Sequence, residues 1–106
     1  MSVIAFTPAR FTPDDIAHFN AVALPRLESG LWGGIRRHTA PHHDELAVMM
    51  PGTGDVLFTF ERDHTGTYAL YLHGTEGAQQ ISMGQSLTEC LAVWLVRERK
   101  AAMFRR

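Results

Sequence analysis

The sequence predicts an α+β fold, a two-layer sandwich in which an antiparallel five-stranded meander sheet carries an N-terminal and a C-terminal helix on one face. Three observations lead there. Apolar residues recur at helical spacing from Ile16 to Leu27 and again from Leu87 to Leu95. The chain between them reads as short β-type runs separated by turns rich in Gly, Pro and Asp. Most specific is Val56 to Leu72, VLFTFERDHTGTYALYL, which sets a β-hairpin and its register by itself.

The first helix starts at Thr12-Pro13-Asp14-Asp15. Thr12 suits the N-cap, Pro13 the first helical position, and Asp15 can return a bond to the Thr12 N–H. Phe11 and Ile16 sit where a hydrophobic staple closes. Ile16, Phe19, Ala23 and Leu27 share one face. Pro25 costs about 3 kcal/mol inside a helix, so the expectation is a helix from Pro13 to about Leu24, then a kinked turn toward Ser29 with Gly30 as the C-cap.

A first strand is expected from Gly34 to Thr39. Arg36 and Arg37 suit an edge better than a sheet centre. The run Ala40 to Asp44 reads as a loop. Leu46 to Met50 reads as the second strand, stopped by Pro51-Gly52-Thr53-Gly54-Asp55.

In the hairpin, Asp63-His64-Thr65-Gly66 reads as a type I turn with Gly66 left-handed. Asp63 then pairs with Thr67, Arg62 with Tyr68, Phe60 with Leu70 and Phe58 with Leu72. A one-residue slip destroys that aromatic and aliphatic stripe. The fifth strand is expected from about Ala78 to Met83. A two-residue Glu76-Gly77 loop places Ile81 and Met83 beside Leu72 and Leu70. Met1 to Phe6 offers a further edge strand.

Ser86-Leu87-Thr88-Glu89 is a capping box opening the last helix. Leu87, Cys90, Leu91, Trp94 and Leu95 form its apolar face. Met103 and Phe104 extend the packing or mark a contact surface. Both helices are expected on the Phe58/Phe60/Leu70/Leu72 face. The opposite face then carries Ala47, Met49, Leu57, Thr59, Ala69 and Tyr71, too apolar to be indifferent to water and too mixed for a second core.

The 106 residues form a single α+β domain, residues 1–106, with 45% hydrophobic and 20% charged residues. The net charge of −1 lacks the basic field that nucleic acid or an anionic membrane surface requires. Arg97, Arg99, Lys100, Arg105 and Arg106 complement the dipole at the end of the last helix. No segment is apolar enough to span a bilayer, and the first residues lack the form of a secretory signal. The expectation is a cytoplasmic protein. Cys90 is the single cysteine, which excludes an intrachain disulfide and a Cys-rich zinc site.

Candidate chemistry is sparse. His38, His42, His43, Asp44 and Glu45 are suitable ligand types for zinc, copper or nickel. Adjacent His42 and His43 diverge, however, and a polar surface loop explains the cluster. His73, near Tyr71 and Thr59, is placed to act as a base or to bind a small polar ligand, but an ordinary half-exposed strand residue is the simpler account of it. His64 sits at a turn tip. Cys90 lies on the apolar stripe, where a thiol behaves as a small hydrophobe. Ser29, Ser82 and Ser86 form no nucleophile elbow, and the glycines at 33–34 and 52–54 form no phosphate loop. Trp32 either anchors the first helix to the sheet or stands exposed as a binding hot spot.

No catalytic, cofactor or metal site emerges from these residues. The expectation is a non-catalytic adaptor or regulatory module, a homodimer or partner of another protein, contacting through Met49, Leu57, Thr59, Tyr71 and His73. Nucleic acid and membrane are not expected partners. The first alternative is a small-ligand or metal-binding protein using its histidines. The second rests on architecture alone. A sheet covered by two helices resembles small bacterial secretion chaperones and immunity proteins, which implies a blocking partner.

Overall fold

The structure is a computed structural model that describes residues 9–103. The expectations for Met1 to Phe6, the Met103 side chain, Phe104, Arg105 and Arg106 fall outside what is described. The elements follow in order as α1 (Pro13–Glu28), β1 (Gly34–Ala40), β2 (His43–Met49), β3 (Val56–Asp63), β4 (Tyr68–Gly74), β5 (Gly77–Gly84) and α2 (Leu87–Met103). The five strands form one antiparallel sheet in sequence order. Each strand pairs with its chain neighbour because the connections are too short for a crossover. This is the expected α+β meander.

α1 opens as the sequence dictates. Thr12 is the N-cap, and the reciprocal box with Asp15 is complete, with Asp15 N–H donating to Thr12 Oγ1 at 3.1 Å and Thr12 N–H to Asp15 Oδ2 at 2.8 Å. The expected break near Leu24 is corrected: one helix runs through Pro25 to Glu28. Proline leaves the Ala21 carbonyl without its helical donor but does not end the helix. One turn on, the Arg26 guanidinium adds a bond to the helix backbone, donating to Val22 O at 2.9 Å. Gly30 then leaves the helix with φ +80°, its N–H donating to Leu27 O at 3.2 Å.

The β3–β4 hairpin has the expected register throughout: Phe58 with Leu72, Phe60 with Leu70, and Arg62 with Tyr68. Gly66 takes φ +84°. Asp63 orders the turn, its Oδ1 accepting from the Thr65 N–H, the Thr67 N–H and the Thr65 hydroxyl. These bonds hold its carboxyl below the usual aspartate range, the Thr65 hydroxyl bond contributing most.

Two registers differ from expectation. In the β4–β5 hairpin Gly74 pairs with Gly77, so the loop is Thr75-Glu76, and Leu72 faces Gln79 while Leu70 faces Ser82. A bulge at Ile81 absorbs the odd residue. Ile81 still packs on the core, whereas Met83 pairs with Ala69 and is 65% exposed. A second bulge lies in β3, where Val48 pairs with Phe58 but Met49 with Val56, leaving Leu57 as the extra residue.

Both helices lie on the face carrying Leu46, Val48, Phe58, Phe60 and Leu70, all buried. Phe19 of α1 meets Phe60 edge-on at 5.8 Å between centroids, and Trp94 of α2 stacks on Phe58 at 3.7 Å. Trp32 is an anchor rather than an exposed hot spot. It is 2% exposed, edge-on to Phe58 at 5.3 Å and beside Phe19 at 6.0 Å. Cys90 is buried with Leu87 and Leu91; burial pushes its thiol pKa up, which removes it as a nucleophile. The box at α2 is half-formed. Glu89 N–H donates to Ser86 Oγ at 3.2 Å, but the Glu89 carboxylate accepts from Gln85 N–H instead of Ser86.

Asp44, expected in a surface loop, is the largest correction. It belongs to β2 and is fully buried. Its carboxylate accepts from Phe11 N–H at 3.0 Å, Thr39 Oγ1 at 3.0 Å and Arg37 Nε at 3.1 Å, with Arg37 Nη2 closer still. A buried carboxylate is stable only with such a full set of donors.

Candidate functional site

Strand alternation and register assemble the face opposite the helices. One row runs Arg36, Ala47, Thr59, Tyr71, Gln80; the next runs His38, Glu45, Glu61, Ala69, Met83. Ala47, Thr59 and Ala69 are recessed and buried, and larger side chains surround them in the same rows. Of the expected contact residues, Met49, Thr59, Tyr71 and His73 lie on this face. Leu57 does not. The β3 bulge turns it to the helix side, where it packs on the core and lines a cleft with Leu72 and Trp94.

Thr59 Oγ1 and His73 Nε2 are 3.1 Å apart. A hydroxyl beside an imidazole is the start of a nucleophile–base pair. Here the hydroxyl is on a residue 1% exposed and no third group among the described residues orients the ring, so the bond reads as satisfaction of a buried hydroxyl.

The histidines of the 38–43 stretch do not converge on one point. His38 and His43 are neighbours with ring centroids 6.1 Å apart, whereas His42 packs against His64 of the hairpin turn at 5.7 Å. Another set does meet. His43, Glu45 and Glu61 bring one potential ligand atom each to within 4.8 Å of one another. Glu45 and Glu61 are direct cross-strand partners, a pairing of like charges that weakens a sheet. Neither joins an ion pair among the described residues. Burial pushes the Glu61 pKa up and the Glu45 charge adds to it, against the opposing pull of His43 and His73. The Tyr71 pKa also rises, from burial first and then from Glu61 and Asp63.

The sequence signal for this set was the alternation of HDELAVM and FTFERD, which puts His43 and Glu45 on one face of β2 and Glu61 on one face of β3. Ending the loop at Asp44 hid it, and only the β2–β3 register joins the halves.

Neither family models, nor curated proteins, nor solved structures yield a match to this chain.

Proposed function

We propose that the protein is a non-catalytic interaction module that self-associates through the open sheet face. One observation carries the reading. Tyr71, Met49 and the 65%-exposed Met83 stand beside the recessed Ala47, Thr59 and Ala69 on a face that neither helix covers. An isologous contact needs one surface that complements itself. This face offers both projections and hollows, and both signs of charge, with Arg36 one row from the Glu45–Glu61 pair. Sedimentation velocity over a concentration series tests it. A wild-type dimer that Tyr71→Glu converts to monomer, with an unchanged circular dichroism spectrum, supports the reading. A wild-type chain that stays monomeric at high micromolar concentration rejects it.

The His43, Glu45 and Glu61 cluster favours a second reading, a divalent cation held by mixed nitrogen and oxygen donors. This set differs from the histidine cluster that the sequence suggested. Calorimetric titration with Zn²⁺ should give saturable heat that Glu61→Gln abolishes. Absence of heat with the wild type removes this reading and leaves the first untouched.

A further inference from the structure

The helix-covered face is finished differently at its two ends. At one end, Asp44 and Asp15 close it with polar bonds, those to Phe11 and Tyr68 buried and that to Thr39 partly so. At the other, the sheet, the turn after α1 and the last turns of α2 leave a cleft of about 810 Å³. That volume falls within the roughly 300–1,000 Å³ typical of small-ligand sites.

The cleft walls are apolar: Trp32, Leu57, Leu72 and Trp94, with Leu31 and Met50 at the rim. Leu31 is 47% and Met50 39% exposed, two of the five exposed large hydrophobic side chains among the described residues. The walls are held in place. Trp94 stacks on Phe58 and donates through Nε1 to Glu98 Oε2 at 3.1 Å. Arg26 pairs with Glu98 Oε1 at 2.7 Å and lies over the Trp32 ring, 5.7 Å from its centroid.

The charges at the mouth are unbalanced. Three charged residues line the cleft, Arg97, Glu98 and Lys100. Glu98 is already neutralised by Arg26. Neither Arg97 nor Lys100 joins an ion pair among the described residues. An apolar pocket whose uncompensated charges, among the described residues, are all cationic selects a ligand with an apolar body and one negative group.

We propose that this cleft binds a small amphipathic carboxylate, its apolar body among Trp32, Leu57, Leu72 and Trp94 and its charge at Arg97 and Lys100. The inference is independent of the open face, because the cleft lies on the other side of the sheet.

The chain has two tryptophans, and both line the cleft, so intrinsic fluorescence reports from the site. Decanoate, kept below its micellar concentration, is the probe. Decyltrimethylammonium has the same chain with the opposite charge, and decanol has it with none. Decanoate is expected to change the emission saturably, to bind more tightly than decanol and far more tightly than the cation. The Arg97→Glu/Lys100→Glu variant, altered at exposed positions that leave the fold intact, is expected to weaken decanoate roughly three- to ten-fold. Methyl resonances of Leu57 and Leu72 should shift on binding. Three outcomes overturn the proposal: no saturable change with decanoate, equal affinity for decanoate and decanol, or decanoate binding that the double variant leaves unaltered.

Discussion

Asp44 Oδ2 accepts the backbone N–H of Phe11 at 3.0 Å, a buried bond joining residues 33 positions apart. It ties the residue before the α1 N-cap to the start of β2. With Arg37 and Thr39 as further donors, one carboxylate holds two strands and the start of a helix together.

Burial works to raise the Asp44 pKa. The Arg37 hydrogen bonds, the Phe11 N–H, the Thr39 hydroxyl and the Arg37 charge outweigh it and hold the pKa below the ordinary aspartate value. A depressed folded-state pKa means stability that is present above about pH 4, the unfolded value, and is lost as pH falls through the folded one. Urea titrations at stepped acidic pH should show that loss. Asp44→Ala leaves buried donors without a partner and should cost about 3 kcal/mol at neutral pH. It should also flatten the acid limb of the stability curve, and an unchanged acid limb would contradict this account.

Tyr68 gives the opposite dependence. Burial, then its 2.6 Å hydrogen bond to Asp15 Oδ2 and that carboxylate's charge, push its pKa up to about 12. The folded state keeps the phenol proton that the unfolded chain releases near pH 10. Stability is therefore complete below pH 10 and declines as pH rises toward 12. Absorbance titration should resolve Tyr68 as a late-ionising phenol. Tyr68→Phe should cost about 1 kcal/mol and remove that step.

Gly33 is required by a close approach. A Cβ there would lie 2.6 Å from Met50 O and 2.7 Å from Pro51 Cα, both backbone atoms, and the Gly33 N–H donates to Met49 O at 2.8 Å. Gly33→Ala should destabilise by about 2 kcal/mol. Gly74→Ala, with open space around its Cβ position, is the control and should change the melting temperature little.

Leu57 and Tyr71 separate the two surfaces. Leu57→Ala removes packing from a half-buried cleft wall and should lower stability by about 1–2 kcal/mol. It should weaken decanoate while leaving the oligomeric state alone. Tyr71→Glu should do the reverse. Dissociation caused by Leu57→Ala would show that the β3 bulge does not separate the faces as described.

Much of the architecture was legible because local chemistry and the global fold agree. Thr12 and Asp15 form their box in any context that lets α1 start. Asp63 and Gly66 set the hairpin turn, and the Phe58/Phe60/Leu70/Leu72 stripe is apolar in one register only. The misreadings occurred where a distant group supplied what the local sequence lacked. Pro25 remains helical in a segment that tertiary contacts hold on both sides, Ala23 and Leu27 on the core and Arg26 paired with Glu98 of α2. Asp44 is buried because Phe11, Thr39 and Arg37 converge on it.

The candidate surfaces divide the same way. Alternation alone placed Met49, Thr59, Tyr71 and His73 on one face, since side-chain direction in a strand has period two. A bulge breaks that period without a local signature, and so Leu57 crossed to the cleft and Ile81 left its expected partner. The sequence by itself determined the order and type of the elements and the central hairpin register, because these rest on interactions between residues close in the chain. The tertiary structure alone decided the meeting of His43 and Glu45 with Glu61, the neutralisation of Glu98 by Arg26, and the opening between Trp32 and Trp94. Each of these joins different elements, and their positions follow from how the helices pack on the sheet.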